Sequence, residues 1–99
     1  MKLSLREQEF NFFGNIVQEH IANYTIPQYG DAPTDELETW TAEQCVKSIG
    51  KYVARFESGR RGKLETLRDL VKIAHFAAVA FSKLGAAGDD IRKIREGKA

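Results

Sequence analysis

The sequence predicts an all-α protein: a small helical bundle of three main helices, with a long first loop, a short C-terminal helix or tail, and completion by dimerisation. Three observations predict it. Apolar residues recur at intervals of three and four rather than two. The runs at Leu5 and Ala42 open on a Ser or Thr with Glu or Gln three residues on. Glycine and proline clusters separate the runs. A chain of 99 residues fits one domain, here residues 1–84, followed by a flexible or short helical tail at 85–99.

The first helix is expected from Leu5 to about Asn23. "SLRE" at residues 4–7 has capping-box spacing, so Ser4 and Glu7 can each satisfy an amide that the first helical turn leaves open. Phe10, Phe13, Val17 and Ile21 form one apolar stripe, and Leu5, Phe12, Ile16 and His20 an adjoining one. Two stripes make a face wider than one partner helix covers, which places this helix at the centre of the bundle. Residues 24–40 read as a loop, because Pro27 and Pro33 oppose helix and Gly30-Asp31 marks a turn. Tyr24, Ile26, Tyr29 and Trp40 are the side chains available to pin that loop to the helices, the alternative being a role of the loop in surface recognition.

"TAEQ" at 41–44 repeats the capping arithmetic. A second helix then follows to about Glu57, with Ala42, Cys45, Val46, Ile49, Tyr52, Val53 and Phe56 on its apolar face. Lys47, Lys51 and Arg55 recur every four residues on the other face as a basic ridge. "SGRRG" turns the chain. The third helix is expected from Lys63 to Leu84, with a core stripe of Leu64, Leu67, Leu70, Val71, Ala74, Ala77, Ala78, Phe81 and Leu84. Ile73, Phe76 and Ala80 broaden this stripe until the helix is apolar almost all round, so a second subunit is expected to finish its burial. A homodimer is the predicted assembly.

Composition narrows the function classes. With one cysteine, no internal disulfide can form and a reducing compartment is expected. No apolar run reaches the length of a membrane span, and "MKLSLREQEF" lacks the apolar core of a signal peptide, so a cytoplasmic protein without membrane partners is predicted. The net charge of +1 says little about partners, but its distribution says more. Asp31, Asp35, Glu36, Glu38 and Glu43 form an acidic block. Lys47, Lys51, Arg55, Arg60, Arg61 and Lys63 form a basic one, opposed only by Glu57. The acidic block can neutralise the basic one, within a subunit or across a dimer.

No phosphate-binding Gly-rich motif is present, because "ESGRRGK" lacks the spacing and the preceding strand. No Cys/His set has zinc-binding spacing, and no metal or cofactor is predicted. His20 and His75 each stand on or beside an apolar face, as hydrogen-bonded structural histidines do. The candidate ligand-binding residues are Lys51, Arg55, Arg60, Arg61, Asp69, Lys72 and His75, with Arg68 beside them. Antiparallel packing of the second and third helices brings Lys51 and Arg55 toward Arg68 and Asp69. There Asp69 can orient a guanidinium for bidentate binding of phosphate or carboxylate. The alternative is an ion network that only solvates the helices, with Asp69 on Lys72, Glu65 on Arg68 and Glu57 on Arg61.

Residues 46–81, containing "SIGKYVARFESGRRGKLETLRDLVKIAHF", resemble the core of small helical bacteriophage and prophage proteins known mainly as domains of unknown function. In that pattern a GN-x-x-KY-x-x-R-like helix end precedes a Lys/Gly/Arg-rich loop and a DL-x-K-A helix. Lys51, Tyr52 and Arg55 match the first part, and Asp69, Leu70 and Lys72 the second. Ser48-Ile49-Gly50 and His75-Phe76 depart from it. Some relatives carry nucleotide-kinase labels, which do not transfer to a chain without a P-loop. A weaker resemblance is to all-helical nucleoside triphosphate pyrophosphohydrolases of the MazG type, whose paired Glu-x-x-Glu and Glu-x-x-Asp motifs hold magnesium. Here Glu7, Glu9 and Glu19 lack that spacing, and Glu65 and Asp69 stand four apart. Three functions follow as expectations: a phage-type protein binding a nucleotide, nucleic acid or protein through its basic edge; a MazG-like nucleotide pyrophosphohydrolase; or a structural oligomerisation module without ligand. Whether the protein is an enzyme is left open.

Overall fold

The structure is a computed structural model and describes residues 2–30 and 36–97. Every regular element among them is helical. Helix α1 spans Leu5–His20, passes through a π-helical turn at Ile21–Thr25, and continues as α2, Ile26–Tyr29. A 3₁₀ turn at Glu36–Thr39 leads to α3, Ala42–Ser58, then α4, Gly62–Leu84, and α5, Gly88–Arg95. No described helix is long and apolar enough to cross a membrane.

The cap signal at Thr41 acts in full and that at Ser4 by half, because the Glu7 carboxylate takes the Ser4 hydroxyl rather than the Ser4 amide. The Glu7 amide donates to Ser4 Oγ at 3.2 Å, and the Ser4 hydroxyl donates to the Glu7 carboxylate at 3.0 Å. Thr41 and Gln44 form the full reciprocal box: the Gln44 amide donates to Thr41 Oγ1 at 3.1 Å and the Thr41 amide to Gln44 Oε1 at 2.7 Å. Gly59 closes α3 at φ 62°, a left-handed conformation that costs a residue with a Cβ about 1–2 kcal/mol. This tight reversal lays α4 antiparallel on α3, and the pair forms the body of the fold.

Three expectations are corrected. Helix does not end at Asn23 before a loop of 24–40, since residues 24–29 are helical. Proline cannot donate to the carbonyl four residues back, and its ring crowds that carbonyl. The chain widens ahead of Pro27, so that the Ile26 amide donates to the Ile21 carbonyl five residues back. Gly30 then ends α2 at φ 97°. Of the rest of that predicted loop, Glu36–Thr39 form the 3₁₀ turn, and residues 31–35, among them Asp31, Pro33 and Asp35, lie outside the described residues.

Helix α1 is also not central, for it contains no buried residue. The core lies instead between α3, α4 and the 3₁₀ turn. Leu37, Cys45, Tyr52, Phe76 and Ala80 are buried there, with Trp40, Ala42, Ile49, Ile73 and Val79 packed against them. Trp40 and Tyr52 both stack on Phe76, at centroid distances of 5.7 and 6.0 Å. Lys83 Nζ donates to the Leu37 and Glu38 carbonyls at 2.6 and 2.9 Å and ties the 3₁₀ turn to α4. Cys45 is fully enclosed, and burial pushes its thiol pKa up. That is the environment of an inert thiol.

The predicted core stripe of α4 is rotated as well. Val71 is buried, but Leu64, Leu67, Leu70, Phe81 and Leu84 are exposed. The face turned inward carries Asp69, His75, Phe76 and Ala80. A helix apolar almost all round leaves its orientation undetermined by pattern alone, and the aromatic stack on Phe76 selects the face.

Candidate functional site

Tyr52 organises the polar side of the α3–α4 pair. Its ring is buried, and three cations approach it: Lys51 Nζ at 5.1 Å from the centroid, Arg55 Cζ at 5.3 Å and Lys72 Nζ at 5.3 Å. All lie within the range at which a ring quadrupole attracts a cation. Among the described residues, no carboxylate lies within ion-pair distance of any of the three. The helix periodicity explains the cluster, since Lys51 and Arg55 stand four apart on α3 while antiparallel packing brings Lys72 from α4.

Lys72 also opens onto a cleft of about 340 Å³ between α4 and the segment from the end of α1 through the π turn into α2. Arg68, Lys72 and His75 enter it from α4 at spacings of four and three, which place them on one face. His20, Tyr24, Thr25 and Gln28 line the opposite side, and Tyr52 and Phe76 complete the wall. Among the described residues, Glu65 is the only carboxylate lining the cleft. It is shared by two arginines: Arg68 is hydrogen-bonded to one oxygen, and Arg61 donates to the other at 3.0 Å. Arg68 holds the Glu65 pKa below its ordinary value.

Both histidines are held below the ordinary imidazole pKa. For His20 the main cause is burial, followed by the charges of Lys72 and Arg68. For His75 it is burial, followed by His20. At neutral pH the cleft thus presents the Lys72 ammonium, the Arg68–Glu65 ion pair, two neutral imidazoles that can donate one N–H each, and aromatic surface. Tyr24 is exposed and lies against His20, with ring centroids 5.4 Å apart. The π turn positions this edge, because the widened turn leaves Tyr24 outward and buries Thr25.

The predicted site residues divide into two groups. Lys51, Arg55 and Lys72 meet around Tyr52, and Lys72 and His75 share the cleft. Arg60, Arg61 and Asp69 lie apart from that cleft. Arg60 is exposed in the interhelical turn, its amide 3.5 Å from Ser58 Oγ. Arg61 Nη1 lies 3.6 Å from Asp69 Oδ1, so Asp69 pairs with Arg61 rather than with the expected Arg55 or Lys51. The Glu65–Arg68 pair forms as the ion-network reading proposed, and Arg61 takes Glu65 and Asp69 as its partners.

No family model, curated protein or solved structure matches the chain.

Sequence reasoning set Arg68 beside the candidate site and left out His20, together with Tyr24, Thr25 and Gln28. For Arg68 a signal existed, since Arg68, Lys72 and His75 share helical spacing. For His20 none did, because its approach to His75 depends on how α1 crosses α4. Among the described residues, no group of three His, Cys, Asp or Glu side chains is arranged to hold a metal ion.

Proposed function

We propose that the protein binds a phosphorylated small ligand of the nucleotide class in the cleft between α4 and the π turn. One observation carries this reading: Lys72 and Arg68 converge with two neutral imidazoles on a cleft walled by aromatic rings, and Glu65, the one carboxylate lining it among the described residues, is held by Arg61 as well as by Arg68. Arginine and lysine suit phosphate, the former through its planar fork and the latter as a point charge. Aromatic surface suits a base. A volume of about 340 Å³ falls at the lower end of small-molecule sites, which run from about 300 to 1,000 Å³. Tyr52 forms part of the wall of this cleft, and Lys51, Arg55 and Lys72, which approach its ring, add positive charge beside it.

A second reading is single-stranded nucleic acid on the α3 edge. It is favoured by a shallow depression where Trp40 stands beside Lys47 and Lys51, a pairing of ring and cations that suits a stacked, charged strand.

Calorimetric titration separates the two. A nucleoside monophosphate and a triphosphate should bind, while the unphosphorylated nucleoside should not. Lys72→Ala should weaken binding about tenfold, or about 1.4 kcal/mol, with the melting temperature little changed. No heat with either nucleotide at millimolar concentration, or full retention of binding in Lys72→Ala, would remove the cleft from consideration. Binding of an oligothymidylate that is lost in Lys47→Ala/Lys51→Ala and retained in Lys72→Ala would favour the α3 edge.

A further inference from the structure

Helix α1 poses a problem of stability. Sixteen residues fold as helix, none is buried, and Phe12 on this helix is 72% exposed. Isolated helices of this length are marginal in water, so most helical stability must come from packing of an apolar face. Phe12, Phe13 and Ile16 of α1 instead line an open apolar groove of about 550 Å³ with Leu64, Leu67, Leu70 and Val71 of α4.

We propose that this groove is the interface of a symmetric homodimer, in which α1 of each copy lies in the α1/α4 groove of the other. Area supports a second copy as the occupant. Large apolar side chains carry on the order of 200 Å² each. Weighted by exposure, Phe12, Ile16, Leu64, Leu67 and Leu70 offer roughly 500 Å² of apolar surface per copy. A stable interface takes about 800 Å² per partner, about 65% of it apolar in homodimers, or roughly 500 Å². The groove meets that requirement. It also lies in the upper half of the patch size that monomers leave uncovered, about 300–600 Å². A two-fold arrangement covers α1 and the groove at once, since each copy gives one helix and receives one. His20, Tyr24 and Arg68 border both the groove and the ligand cleft, so the second copy adjoins the cleft's open side.

Sedimentation of the full chain from 1 to 100 μM should give twice the 11.2 kDa protomer mass. Phe12→Glu and Leu67→Lys change residues exposed in the protomer, and each should shift the mass to one protomer. Leu84→Glu, equally exposed but away from the groove, should leave the dimer intact. Circular dichroism of each variant reports folding. Hydrogen exchange of the wild type above and below its dissociation midpoint reads the same face without substitution, with protection of residues 5–20 and 62–71 expected only above it. A wild-type mass of one protomer throughout, or a dimer whose folded Phe12→Glu and Leu67→Lys forms stay dimeric, overturns the proposal. So does a dimer whose protection lies elsewhere.

Discussion

Arg61 Nη1 lies 3.6 Å from Oδ1 of Asp69, a carboxylate that is 1% exposed and, among the described residues, has no hydrogen-bond partner on either oxygen. A buried charge held only by a distant cation is a point of weakness, because its lost hydration is poorly replaced. Removing a cation from a fully buried pair costs about 3–5 kcal/mol. Arg61 is partly exposed, so solvent screening lowers the expected loss in Arg61→Ala to about 1–2 kcal/mol. Asp69→Asn in that background should recover most of the loss, since a neutral amide needs no cation. Denaturant unfolding of the two single variants and the double variant measures the coupling. Additive effects would show that the pair contributes nothing.

Acidification should destabilise the ligand-free protein. His20 and His75 have lowered pKa values, so below the unfolded imidazole value of about 6.5 the unfolded chain binds protons that the fold resists. Stability from this source is fully present above about pH 6.5 and declines as pH falls from there toward the lowered folded values. A phosphate in the cleft reverses the sign for binding: its charge favours imidazolium, so affinity should rise over the same interval. His75→Asn should flatten both profiles and thereby separate the imidazole from the ligand's own titration. Melting temperature and calorimetric affinity between pH 7.5 and 5.5 read the two slopes. A stability profile that does not decline would mean that neither histidine is held neutral by the fold.

Phe76 and Phe81 should respond in opposite ways to substitution. Phe76 stacks with Trp40 and Tyr52 and is 3% exposed, so Phe76→Ala should cost about 3–5 kcal/mol. Phe81 is 51% exposed and lies off the α1/α4 groove, and Phe81→Asp should change stability by about 1 kcal/mol or less. From periodicity alone Phe81 belongs to the core stripe and an aspartate there would prevent folding. Urea unfolding of both variants decides which face of α4 is inward.

Helix existence and caps were legible because they depend on residues near one another in sequence. Thr41 and Gln44 are three apart, and their box forms as the spacing dictates. Gly59 marks the end of α3, and α3 and α4 pack antiparallel because a short turn permits little else. Pro27 misled because a helix can pass a proline when the preceding turn widens, and no composition signal marks such a turn. The candidate site was legible where helical spacing carried it, as for Lys51, Arg55 and Lys72. It was illegible for His20, whose partners come from another helix.

That the chain is helical, where α3 and α4 run, and that cations gather along one side of them follow from local hydrogen bonding and a period of 3.6 residues. Which face of α4 is buried, that α1 lies uncovered, and that Asp69 meets Arg61 while Lys72 meets Tyr52 depend on long-range packing. The pattern of α4 is apolar nearly all round, so several rotations satisfy it equally well. The choice among them belongs to stacking on Phe76 and to the crossing of α1, contacts between residues far apart in the chain.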